Sequence, residues 1–263
     1  MIFIGIIPAR YASTRFPGKP LVDLCGKPVI QHVYEQASKA LDHVVVATDD
    51  ERIYDCVKGF GGEVVMTSAD HTCGTDRVYE AYQIYSANSS LANNEDIVVV
   101  NIQGDEPFIQ PEQIQALMDC FPTEIATLVH PFSREDTWED LQNPNYVKVA
   151  IAHTATDDST TIGKALYFSR SVVPYMRGAD KDQWLNQGIY YRHIGMYAYR
   201  ADILEKITSL SPTLLEKTEC LEQLRWLENG LTIHVGLSHH ASIGIDTPED
   251  LQAAIQYLNS ISL

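Results

Sequence analysis

IFIGIIPARYASTRFPGKPL, residues 2–21, begins as an apolar run, reaches Pro8 and turns at once into a loop carrying three cations, Arg10, Arg15 and Lys19. Similar apolar runs recur at 43–48 (HVVVAT), 63–66, 96–102 (DIVVVNI) and 124–130, with helical stretches between them at 28–41, 50–59, 76–86 and 111–120. Continuous apolar strands bounded by turn residues belong to a parallel sheet covered on both faces. The alternation predicts a doubly wound, mostly parallel α/β fold whose ligand crevice lies beyond the carboxyl ends of the strands.

From about 131 to 200 the pattern holds more strand than helix: YVKVAIA at 146–152, ALYFS at 165–169 and YYRHIGMYAY at 190–199, interrupted by the polar cluster HTATDDSTT at 153–161. This reads as a β-rich insertion in a single domain spanning 1–263. The main pattern resumes with a helix at 214–229 closed by Gly230, strands at 231–235 and 242–246, and a last helix from 248. The one linker-like stretch is ANSSLANNE at 87–95.

With 263 residues, 45% of them apolar, the chain can bury a sizeable core. Its net charge of −16 repels phosphate backbones and anionic lipid, which argues against nucleic-acid and membrane-surface partners. No apolar run approaches the length of a membrane span, and IFIGII is too short for a signal segment. The five cysteines are scattered and form no CxxC pair, as expected of free thiols in the reducing cytoplasm.

The first thirty residues break the acidic trend, with Arg10, Arg15, Lys19 and Lys27 against Asp23 alone. A basic island on an acidic protein points to a compact anionic ligand. Pro17 and Pro20 stiffen the loop, Gly18 permits an unusual turn, and paired guanidinium donors beside a mobile ammonium suit a triphosphate. A Walker A loop is excluded, because Pro20 stands where Ser or Thr would follow the lysine, and no GxGxxG is present.

Two aspartates end apolar runs. VVVNIQGDEP at 98–107 runs out at Gly104 with Asp105 following, and ASIGIDTPEDL at 241–251 places Asp246 before a helix. Thr247 is the natural N-cap of that helix, Pro248 suits its first position and Asp250 completes a capping box, so Asp246 is not needed for capping. Two such carboxylates make a hard oxygen site for Mg²⁺, which takes one or two carboxylates together with phosphates and waters.

Four other places carry polar groups. HTCGTDRVYEA at 71–81 sets Gly74 and Thr75 before a helix, whose amides either meet a base or ribose or simply start the helix. Arg170 stands at a strand end, and His193 lies within an apolar strand, where a hydrogen-bonded core histidine is the usual reading. TECLEQLRWLENG at 218–230 carries Glu219, Glu222, Gln223 and Arg225, a solvated helix face by default.

Taken together, IPARYASTRFPGKPL, ATDDERI, GTDR, VNIQGDEPFI, NPNYVKV, YFSRSVVP, RHIGMYAYR, LEQLRWLENG and GIDTPEDL resemble, in order and along nearly the whole chain, the 3-deoxy-manno-octulosonate (Kdo) cytidylyltransferase family. The resemblance implies a Rossmann-like nucleotidyltransferase fold, a homodimer, Mg²⁺ as cofactor, and transfer of CMP from CTP to Kdo for lipopolysaccharide synthesis. By matching motifs, Arg10, Arg15 and Lys19, with Gly74 and Thr75, would bind CTP. Asp105 and Asp246 would hold Mg²⁺, with Lys19, Arg15 and Asp105 as the catalytic groups. Gln103, Arg170, His193, Glu222 and Gln223 would contact the sugar acid. Ser68 stands where the family commonly has arginine and Cys73 where serine is common, both beside the expected base pocket. The rival readings are the same chemistry on another acid sugar, such as 8-amino-Kdo or a nonulosonate, and a non-catalytic sugar-nucleotide sensor.

Overall fold

The computed structural model describes residues 1–12, 15–89, 91, 96–154, 161–240 and 244–261. Parts of the expected linker at 87–95, the polar cluster at 153–161 and the strand at 242–246 lie outside these residues. The chain divides into two compact units, Met1–Ile114 with Ser242–Leu263, and Gln115–Ala241.

The first unit holds four parallel strands, β1 (Ile2–Pro8), β2 (His43–Thr48), β3 (Val64–Met66) and β4 (Ile97–Asn101), in the order β3-β2-β1-β4. Ile6 pairs with Val45 on one side of β1, and Ile4 with Val99 on the other. Their Ile and Val side chains are almost all buried, as strands covered on both faces require. The crossovers carry α1 (Val29–Ala37), α2 (Glu51–Gly59) and α3 (Gly74–Ala87). In α1 the buried Val29, Ile30, Val33 and Ala37 form one helical stripe. Successive strands run outward from β1 to β3, whereas β4 lies on the opposite side of β1. The order therefore reverses between β1 and β4, and in such sheets the crevice past the carboxyl ends at that reversal is where ligands bind.

Two features shape this crevice. A Cβ on Gly104 would lie 2.7 Å from the Pro8 carbonyl oxygen, so only glycine lets the loop after β4 close on the end of β1. The second is the return of the C-terminal segment: the Ile245 amide donates to the Asp105 carbonyl at 2.8 Å, and the helix Pro248–Ile261 packs Ala254 with Leu24, Val29, Phe108 and Ile245. Of the strand expected at 242–246, the described residues 244–246 form none.

In the second unit, β5 (Ile125–Pro131), β6 (Lys148–His153), β7 (Thr161–Ser169), β8 (Tyr191–Arg200) and β9 (Ile233–Leu237) follow the order β8-β5-β9-β7-β6. Only β5 and β9 are parallel, and β8 also meets β6 at Arg192 and Lys148. The doubly wound parallel sheet thus belongs to the first unit. The run at 124–130 forms β5, which pairs in parallel with β9 and antiparallel with β8.

The helix expected at 214–229 is two helices, Leu214–Glu219 and Gln223–Glu228. The break falls at Cys220, a left-handed residue (φ 52°), where an L side chain is strained. It is held open from outside the helix. The Glu219 carboxylate accepts from Ser169 Oγ (2.7 Å) and the Arg170 amide (2.9 Å), while Arg170 Nε donates to the Glu219 carbonyl (2.7 Å).

Candidate functional site

A cavity of about 300 Å³ opens in the first unit past the ends of β1 and β4, lined by Pro8–Arg10, Arg15, Lys19, Pro20, His71–Gly74, Arg77, Gln103–Asp105 and Asp246. The basic loop enters it by a turn the sequence anticipated. Gly18 has φ 74°, its amide donates to the Tyr11 carbonyl (2.9 Å), and Lys19–Leu21 follow as a 3₁₀ turn. The Tyr11 ring lies over Gly18, where an added Cβ would meet it at 3.0 Å, and the Arg52 guanidinium lies 3.3 Å from the ring centroid. Arg52 is in turn held by Asp50, and that bond keeps the Asp50 carboxyl below its ordinary pKa.

Asp105, past the end of β4, and Asp246, in the returning C-terminal segment, converge. Lys19 Nζ donates to Asp105 Oδ2 at 2.6 Å and to Asp246 Oδ1 at 3.0 Å, and Arg15 pairs with Asp246 Oδ2 at 2.9 Å. The Asp246 side chain takes no part in capping. The box is closed by Asp250, which accepts from the amides of Asp246 and Thr247, while Thr247 Oγ1 accepts from the Asp250 amide. Burial tends to raise the Asp250 carboxyl, but these bonds hold it below its usual range. Two carboxylates meeting at one cation are a donor set that fits Mg²⁺ alongside phosphate oxygens. Among the described residues no group of three or more His, Cys, Asp or Glu side chains is placed to hold a metal ion.

At the far wall Cys73 caps α3, its sulfur accepting from the Asp76 amide at 3.5 Å. Gly74 lines the cavity, whereas Thr75 is buried and is not among the lining residues. Sequence reading passed over two further wall residues. Arg77 is buried in the first turn of α3, donating to Thr67 Oγ1 (2.6 Å) and Asp49 (2.9 Å). The helix dipole disfavours a cation at that end, so the arginine in GTDR carried a signal of its own. His71 bonds Glu80, which also accepts from the Ser68 amide. Burial pushes the Glu80 carboxyl up, and these two bonds bring it net below its ordinary value.

The structure thus brings together Arg10, Arg15, Lys19, Gly74, Gln103, Asp105 and Asp246. Arg170, His193, Glu222 and Gln223 belong to the second unit. There Arg170 turns its guanidinium to the carbonyls of Glu219, Cys220 and Pro144. His193 sits between the Phe168 and Tyr197 rings, 3.1 Å from Thr127 Oγ1, and burial pushes its pKa down to about 3. Glu222 precedes the second short helix, and Gln223 is buried with its amide nitrogen unpaired. A solvated face does not describe this helix, for Arg225 is also buried, held by Glu216 and the Leu210 carbonyl.

Comparison with known proteins shows the family and the fold. The cytidylyltransferase family profile matches residues 4–233, through both units. The 3-deoxy-manno-octulosonate cytidylyltransferases of Parabacteroides distasonis and Phocaeicola vulgatus are 56% and 57% identical, each match covering 98% of this chain and 98% of the relative. The solved structure of CMP:2-keto-3-deoxy-manno-octonic acid synthetase complexed with CTP superposes with a TM-score of 0.83 at 36% identity, covering 99% of this chain and 100% of that one. A 4-diphosphocytidyl-2C-methyl-D-erythritol synthase from Anaerococcus prevotii, 14% identical with a TM-score of 0.58, shares the fold. With relatives more than half identical along nearly its whole length, the chain belongs to the 3-deoxy-manno-octulosonate cytidylyltransferase family.

Proposed function

We propose that this chain transfers CMP from CTP to the anomeric hydroxyl of Kdo, giving CMP-Kdo and pyrophosphate for lipopolysaccharide synthesis. The observation that carries the reading is the convergence of Arg15 and Lys19 with Asp105 and Asp246 at one cavity, in a chain whose relatives bear that name. The anomeric oxygen attacks the α-phosphorus in line, forming the new O–P bond as the bond to the β-phosphate breaks. The hydroxyl proton is released and pyrophosphate carries away the electron pair. Such chemistry is mostly positioning and charge neutralisation.

Asp105 and Asp246 are the residues that would hold Mg²⁺, which when bound supplies Lewis-acid polarisation of the phosphoryl oxygens. Arg10, Arg15 and Lys19 bind the triphosphate, and Arg15 and Lys19 stabilise the charge growing on pyrophosphate. Gly74 and Thr75 present the start of α3 to the nucleoside. Gln103, Arg170, His193, Glu222 and Gln223 recognise the acceptor, and the unpaired amide of buried Gln223 supports that role, since buried donors normally have partners. The two units act as one nucleotidyltransferase domain, consistent with a family match running through both. The resemblance further supports a cytoplasmic homodimer. No helix among the described residues is long and apolar enough to cross a membrane.

Pyrophosphate release tests the reading, with CTP, ATP, GTP or UTP as donor, with and without Kdo, 8-amino-Kdo or a nonulosonate, and with and without Mg²⁺. Turnover is expected with CTP, Kdo and Mg²⁺ together. Equal rates with all four nucleotides, or none with Kdo, would overturn it.

A further inference from the structure

Lys19 is buried, and its ammonium lies within 3.0 Å of a carboxylate oxygen on each of two aspartates that nothing else in the local structure requires as a pair. The Asp246 side chain is free of helix capping, which Thr247 and Asp250 perform, and its second oxygen is taken by Arg15. Two carboxylates this close repel each other unless a cation lies between them. Here two acids face two cations, so the cluster is neutral without any metal. A divalent ion arriving alone would have to displace a hydrogen-bonded ammonium and leave that charge beside itself. A triphosphate changes the balance, because it offers Lys19 and Arg15 anionic partners and releases the carboxylates.

We propose that Lys19 is a built-in counter-cation that keeps the Asp105–Asp246 pair closed to divalent metal until a nucleoside triphosphate draws its ammonium away. The metal therefore enters with or after the nucleotide and not before it. This rests on the functional reading above for the identity of the ligand, yet it concerns the free protein, where it can be tested without CTP or Kdo.

Mn²⁺ binding, followed by electron paramagnetic resonance, is the probe. The unaltered protein without nucleotide is expected to bind Mn²⁺ weakly. Lys19→Gln should bind it at least ~10-fold more tightly, because a like charge at hydrogen-bond distance is removed. Lys19→Arg should keep the low affinity, and Lys19→Gln combined with Asp246→Asn should lose the gain. Thermal unfolding gives a second readout: added Mg²⁺ should raise the Tm of Lys19→Gln and leave that of the unaltered protein nearly unchanged. Should the glutamine variant fold poorly, Lys19→Met carries the same expectations. Equal Mn²⁺ affinity with and without the lysine would overturn the proposal, as would a gain that survives Asp246→Asn. Absence of cytidylyl transfer would instead count against the functional reading, leaving these measurements in the free protein as they stand.

Discussion

Lys19, in the lining of the first unit's cavity, and Lys148, in the second unit's sheet, are both buried, but their ammonium groups meet different chemistry. Lys19 meets two carboxylates brought from distant parts of the chain. Lys148 meets the carbonyls of Asn143 (3.0 Å) and Arg170 (2.6 Å), and its pKa is lowered to about 8, chiefly by burial with nearby Arg170 adding to it against the opposing pull of Glu219. Carbonyls satisfy the hydrogen bonds without neutralising the charge. Lys148 therefore ties a loop and a strand end in place, whereas the partners of Lys19 are ones that a metal and a phosphate can exchange. Burial alone does not separate a structural lysine from a working one; the charge of its partners does.

The largest effect expected from this contrast lies in the carboxylates. Asp105→Asn and Asp246→Asn should each lower kcat at least ~100-fold at saturating Mg²⁺, as when metal-derived stabilisation of the transition state is lost. Near-normal kcat in either variant would remove that residue from the metal site. Next come the sugar contacts proposed for the second unit. Gln223→Ala and Glu222→Gln should lower kcat/KM for Kdo by roughly ten- to hundred-fold through unpaired polar groups, with CTP affinity and Tm little changed. A Tm that falls in step with activity would make the pair a packing element instead. Lys19→Ala and Arg15→Ala should impair CTP use far more than Kdo use, and steady-state kinetics with each substrate varied decides it.

Lys148→Met sharpens the comparison from the other side. It should lower stability by about 1–3 kcal/mol through two carbonyls left unpaired, with the kinetic constants of the folded fraction retained. The pH dependence has a definite sign. Because the folded pKa is near 8 and the unfolded value 10.5, the unfolded chain binds more protons between them. The stability of the unaltered protein should therefore rise, relative to Lys148→Met, as pH increases through that window. Chemical denaturation of both proteins at pH 8 and 10 checks this; a flat difference would deny the shift. The smallest effect belongs to Arg52→Ala, which removes the guanidinium over Tyr11 and should raise KM for CTP by no more than about five-fold.

What could be read along the chain was local. The apolar runs at 2–8, 43–48 and 96–102, the positive φ of Gly18 and the Thr247–Asp250 capping box each follow from side chains within a few residues of one another. The basic loop and the two aspartates that follow apolar runs were visible for the same reason. Sequence reading overlooked Arg77, whose partner Asp49 is 28 residues distant. It ran one helix through 214–229, because the apolar spacing continues across Cys220 and only Ser169 and Arg170, some 50 residues earlier, draw Glu219 out of register. Separations of 86 and 227 residues lie between Lys19 and its two acids. No periodicity or turn preference reports such a meeting, since it depends on which strand ends lie side by side at the reversal of strand order. Chain-local preferences wrote the elements and their caps; packing of the sheet and return of the C-terminal segment chose which charges face each other, and with them the chemistry of the cavity.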